Sequence, residues 1–168
     1  MNEKREINIE VFFKTSRINA SAREVFAWHQ SRGALEALIP PWEKVTVEQP
    51  PRSLGDGEIA VLVMRVGPIR QRWVARHFGF VDRGDEGGEF CDEQVKGPFA
   101  AWVHRHIVRA DGAGHCVLED RIKYELPLGW LGRTFGGAFA RRKLERMFEF
   151  RHEATRRAVE NAGPSQQR

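Results

Sequence analysis

Cysteine is scarce in this chain. Only Cys91 and Cys116 occur in 168 residues, with no C-x-x-C spacing. They supply no disulfide framework, and both are expected as reduced, buried thiols. Long apolar runs are missing too: none approaches the roughly 20 residues that cross a bilayer, so no stable membrane insertion is expected. The N-terminal MNEKREINIE is charged and lacks the apolar core of an export signal, which points to a cytoplasmic protein. Charge of one sign does not dominate either. There are 27 Lys and Arg against 23 Asp and Glu, a formal net charge of +4. The densest basic cluster, Arg141, Arg142, Lys143 and Arg146, alternates with Glu145 and Glu149, as on a solvated helix face. No nucleic-acid partner is expected. The Gly-rich run at 84–89, GDEGGE, has no lysine and reads as a hairpin turn, not a phosphate cradle.

What is present is an ordinary folded composition, with 41% hydrophobic and 30% charged residues. The length fits one domain over 1–162, followed by a disordered tail at 163–168. Strict alternation predicts a first strand over 7–15, with Ile7, Ile9, Val11 and Phe13 on its apolar side. Ser21 and Glu24 then form a capping box for a short helix, and a second short helix covers 33–39 before Pro40-Pro41. Six more strands are predicted at 43–49, 58–67, 70–82, 89–96, 100–110 and 115–126. Short breaker-rich separators between them require antiparallel hairpins. From Pro127 to about Glu160 the chain is helical, with Leu131, Phe135, Ala138, Phe139, Leu144, Met147 and Phe148 on the sheet-facing side and a kink or a loose first turn near Gly136-Gly137. The fold class is therefore α+β, a seven-stranded curved antiparallel sheet with two short helices and one long C-terminal helix over its concave face.

A twisted seven-stranded sheet is concave on one side, and a helix about 10 Å wide cannot fill that trough along its whole length. Either large side chains plug the gap or a cavity remains. The expectation adopted is an internal cavity between sheet and helix. Alternation places Trp102, His104, His106 and Val108 on one side of the 100–110 strand, and Leu118, Asp120, Ile122, Tyr124 and Leu126 on one side of the next. The opposite set, including Glu119, Arg121, Lys123 and Glu125, is expected to face water. A turn at 111–114 sets His104 or His106 beside Asp120. With Asp92 and Gln94 from the preceding strand, these make an inward polar row. Trp73 and Trp102 are candidate pocket walls, Phe99 a candidate entrance residue, and Phe135 and Phe139 ligand contacts from the helix where packing is incomplete.

The runs FCDEQVKGPFAAWVHRH, LEDRIKYELPLGWLG and ARRKLERMFEFRHE resemble the SRPBCC superfamily, which includes START domains and polyketide cyclase/dehydrases. The resemblance spans roughly residues 11–159. It implies the helix-grip fold and a hydrophobic small-molecule partner such as a lipid, polyketide or isoprenoid, without implying one reaction. Ligand binding without catalysis is the favoured expectation, in a monomer or homodimer and without a cofactor. The rival is a cyclase/dehydrase-like enzyme in which His104 or His106 is the general base and Asp120 orients it. His104 and His106 could also hold a metal with Asp120 as third ligand. Trp102 and Val108 flank them and no further Cys or His is locally placed, so no metal is expected.

Overall fold

The computed structural model describes residues 9–66, 69–127 and 130–161; at Val66 and over 130–135 it describes the backbone alone. Chain order is β1 (Glu10–Ile18), α1 (Ala22–His29), α2 (Ala34–Ala37), β2 (Val45–Gln49), β3 (Ile59–Val66), β4 (Ile69–Asp82), β5 (Gly87–Lys96), β6 (Ala101–Ala110), β7 (Cys116–Glu125) and α3 (Trp130–Glu160). All strands join one antiparallel sheet in the order β1-β7-β6-β5-β4-β3-β2. The six later strands form the expected meander. β1, cut off from β2 by the two helices, lies at the far edge beside β7, so the first and last strands are neighbours. The predicted tail at 163–168 and the start of the predicted first strand lie outside the described residues.

α1 begins where its capping box predicts. The Ser21 N–H donates to Glu24 Oε2 at 2.9 Å, and the Glu24 N–H donates to Ser21 Oγ at 3.3 Å. Val25, Phe26 and His29 are among its buried residues. Phe26 crosses β5 at Gly88, where an added Cβ would fall 2.4 Å from the phenyl ring. Only glycine permits that approach. The apolar core around it joins Ile18, Val25, Phe26, Phe90, Val108 and Leu118. A second core lies under α3, where Leu144 and Phe148 meet Phe12, Trp102, Ile122 and Tyr124.

β1 corrects the sequence reading. Its inward face is Phe12, 4% exposed, while Val11 and Phe13 point outward at 57% and 54%. A one-residue change of face exchanges every side chain, and here partners decide it. Inward-facing Glu10 accepts from the Tyr124 hydroxyl at 3.0 Å, Lys14 pairs with Glu149 and Ser16 meets His152. A second correction concerns Glu119 and Glu125, which are buried rather than facing water. Glu119 is covered by Arg109 and Arg121 on the convex side.

α3 is one continuous helix through Gly136-Gly137. Its inward stripe runs Gly137, Ala140, Leu144, Phe148, His152 and Thr155, at helical spacing. Phe139 lies off that stripe and is 72% exposed, which corrects its expected packing onto the sheet. The side chains of Leu131 and Phe135 lie outside the described residues. Trp42 and Glu43, before β2, hold the other flank of α3: Arg146 stacks over the Trp42 ring at 4.3 Å and Lys143 pairs with Glu43 at 3.0 Å.

Candidate functional site

Three neighbouring strands build the centre of the concave face. Register sets Asp92 of β5 opposite His104 of β6, and His106 of β6 opposite Asp120 of β7. Residues two apart on a strand share a face, so the four side chains form a compact patch. His104 Nε2 lies 2.8 Å and His106 Nδ1 3.0 Å from the same oxygen, Asp120 Oδ1. Their other nitrogens, His104 Nδ1 and His106 Nε2, lie 3.2 Å and 3.1 Å from Asp92 Oδ2. Thus each imidazole bridges the two carboxylates. Phe90 stacks on the His106 ring at 4.1 Å, and Phe148 meets the His104 ring edge-on at 5.1 Å.

α3 closes the patch from above through His152, whose Nε2 is 2.7 Å from Asp120 Oδ2 and whose Nδ1 is 2.8 Å from Ser16 Oγ. The sequence reading missed His152. Its signal is there, four residues after Phe148 and eight after Leu144 on one helix stripe. Burial by itself would raise the Asp120 carboxyl, but hydrogen bonds from His104, His106 and His152 outweigh it and hold the group well below the usual carboxylate range. Asp92 is likewise depressed against its own burial by the two histidines. Burial opposes charge on His106 as well, yet the hydrogen bonds to Asp120 and Asp92 raise it to about 9. His29 and His77, also missed, are buried nearby. Desolvation lowers His29 to about 4 and lowers His77.

Beside this polar patch stands an aromatic wall. Trp73 of β4 meets Trp102 of β6 at 4.9 Å and Phe99 at 5.7 Å, while Phe99 lies 5.8 Å from Tyr124. Trp102 joins wall to patch, its Nε1–H donating to Asp92 Oδ1 at 3.3 Å. Trp73 and Phe99 are only half-buried, as are Leu126, Ala140 and Met147 around them. Burial, helped by the hydrogen bond to Glu10, pushes the Tyr124 hydroxyl up to about 12. Gln94 is held in a local clamp. Its amide donates to the Phe99 carbonyl at 2.8 Å and accepts from the Phe99 N–H at 3.2 Å, fixing the β5–β6 turn.

Of the internal cavity expected between sheet and helix, the described residues show a small void. A void of about 10 Å³ lies under α3, between His29, His106, Asp120, Arg151 and His152. That is room for about one water. Leu144, Phe148 and the imidazoles fill the trough that the helix backbone alone would leave open.

The sequence matches the family model for polyketide cyclase/dehydrase and lipid transport over residues 18–150. The chain belongs to that family. This family member is also similar in fold to solved structures. A START superfamily protein from Mycobacterium smegmatis aligns at TM-score 0.65 and 14% identity, covering 90% of this chain and 98% of that one. The Zhui aromatase/cyclase from Streptomyces sp. R1128 aligns at TM-score 0.58 and 16% identity, covering 90% and 92%. A nucleoside-diphosphate sugar epimerase from Corynebacterium glutamicum aligns at 0.66 and 23%, but the alignment spans 89% of this chain and only 29% of the epimerase. A search among curated proteins found no match. The helix-grip fold and SRPBCC membership are thus established for this family member. None of its described helices is long and apolar enough to cross a membrane.

Proposed function

We propose that this family member binds an apolar small molecule between the aromatic wall and the first half of α3. One observation carries the reading. Where α3 meets the wall of Trp73, Phe99, Trp102 and Tyr124, of which Trp73 and Phe99 are half-buried, its inward positions are Gly137 and Ala140, which contribute almost no volume. Further along, Leu144 and Phe148 seal the same trough. A flat apolar ligand would therefore enter by a modest lift of the helix at its small residues, exchanging ring–ring contacts for contacts with itself. Asp92, His104, His106 and Asp120 would give the slot a polar end, reached through the Trp102 indole.

Tryptophan fluorescence tests this directly. A quinone or a fluorescent fatty acid should bind saturably, one per chain, and quench Trp73 and Trp102. Ala140→Trp should fill the slot and abolish binding while the fold is retained. Absence of saturable binding in the unmodified protein would overturn the reading.

A cyclase/dehydrase-like reaction is the second reading, favoured by the family and by the His–Asp patch. It ranks lower on geometry. His104 is 2% exposed and both its nitrogens are engaged by carboxylates, so no free base meets a bound molecule in this state. His104→Ala and Asp120→Ala should abolish turnover of a polyketide-like substrate if the reading is right; full activity in folded variants would remove it.

A further inference from the structure

We propose that Asp92, His104 and His106 form a binding site for one divalent transition-metal ion of the zinc class. The three residues each offer one ligand atom, and these atoms lie within 4.8 Å of one another. Asp92 Oδ2 stands 3.2 Å from His104 Nδ1 and 3.1 Å from His106 Nε2. Ligands held at about 2.0–2.1 Å around a tetrahedral ion sit about 3.3 Å apart, so these separations are close to the edges of such a site. Two imidazoles and one carboxylate suit zinc, cobalt or iron rather than magnesium or calcium. Three protein ligands leave one position for water or another oxygen donor.

The surrounding hydrogen bonds weigh more than the distances. Imidazoles that bind metals almost always give the remote N–H to a carboxylate or carbonyl, which sets the tautomer. Here both remote nitrogens, His104 Nε2 and His106 Nδ1, converge on Asp120 Oδ1. Asp120 is anchored in turn by His152, and His152 by Ser16. The spare oxygen of Asp92 accepts from Trp102. With the remote N–H groups given to Asp120, the near nitrogens present lone pairs to a carboxylate oxygen. Something positive must lie between them: a proton on each ring, or one dication. The sequence reading expected no metal and named Asp120 only as a possible third ligand; the geometry makes Asp120 the orienting carboxylate and gives the ligand role to Asp92.

The test uses the full chain, stripped with a chelator and titrated with Co²⁺ and Zn²⁺, with Mg²⁺ as control. One Co²⁺ per chain is expected, with visible d–d absorption that Zn²⁺ bleaches and Mg²⁺ does not. On Zn²⁺ addition, nitrogen NMR of the histidine rings should shift His104 Nδ1 and His106 Nε2 and leave His115, in the β6–β7 turn, unmoved. Asp92→Asn should weaken binding by more than about 100-fold, beyond the roughly 10–100-fold expected when Asp120→Asn removes an outer partner. No uptake, shifts confined to His115, or undiminished affinity in Asp92→Asn would each overturn the proposal. If Asp92→Asn does not fold, the ring-nitrogen shifts of the unmodified protein decide alone, and protons filling the site would show as no shift.

Discussion

Glu119 and Asp120 are consecutive in β7, both carboxylates and both buried, yet they live in opposite chemistry. Glu119 points to the convex face between Arg109 and Arg121, whose side chains remain 58% and 54% exposed. Glu89 repeats the pattern on β5, between Arg83 and Arg105. Asp120 points to the concave face between His104, His106 and His152, of which His104 and His152 are 2% exposed. Guanidinium keeps its proton under all ordinary conditions and spreads its charge into water, so the convex pairs are permanent and screened. Imidazole can hold or release a proton, or exchange it for a metal. The convex face is thereby a fixed electrostatic shell, and the concave face is the side on which chemistry can change. Ordered by expected effect, four changes probe this contrast.

Asp120→Ala should be the most damaging. It strands three imidazoles that share one carboxylate, and removing one partner of a buried charged group costs about 3–5 kcal/mol. Urea unfolding should show the midpoint falling with the slope unchanged. A loss below about 1 kcal/mol would mean that the network is no more consequential than a surface pair.

Acid should act next, through His29. Its ring lines the small void opposite His106, Asp120, Arg151 and His152, and its Nδ1 meets the Val25 carbonyl at 2.8 Å. Burial lowers its pKa from 6.5 to about 4, so the unfolded chain takes up the proton first. The stability it contributes is complete above pH 6.5 and disappears as pH falls through that interval to about 4. The full difference is about 3 kcal/mol. Thermal unfolding of the unmodified protein should weaken more steeply over that range than His29→Gln; parallel curves would refute the assignment.

Glu119→Gln should cost about 1–2 kcal/mol, since the charged hydrogen bonds to Arg109 and Arg121 are lost while a neutral amide keeps the same place. Raising salt to about 1 M should shrink that cost but leave the cost of Asp120→Ala nearly unchanged, because only the convex pairs are screened. Equal salt sensitivity at both positions would erase the contrast between the faces.

How far the sequence could be read follows the same division. Local signals were legible: the Ser21–Glu24 box, the breaker-rich turns and the β6–β7 hairpin that sets His104 or His106 opposite Asp120, a choice the register settles for His106. Asp92 and Trp102 were placed on the right faces by alternation alone. Errors arose where a partner lies far along the chain. Glu10, Lys14 and Ser16 look outward-facing by polarity, but their partners are Tyr124, Glu149 and His152, more than a hundred residues away. Glu119 looks solvated until Arg109 and Arg121 are seen covering it. The size of the cavity was not legible for a different reason: periodicity says which residues face inward but not how much volume they occupy.

Phe139→Gln should have the smallest effect and still separates two descriptions of α3. Periodicity put Phe139 against the sheet, whereas its ring is 72% exposed and Gly137 and Ala140 take the inward positions. Stability should then change by less than about 0.5 kcal/mol, as for other exposed substitutions. Quinone or fatty-acid affinity should be equally unmoved if the ligand lies under the small residues. A loss of stability near about 2 kcal/mol would place the ring in the core. Unchanged stability with weakened binding would instead extend the slot around the helix, so that the exposed phenyl closes over whatever enters beneath it.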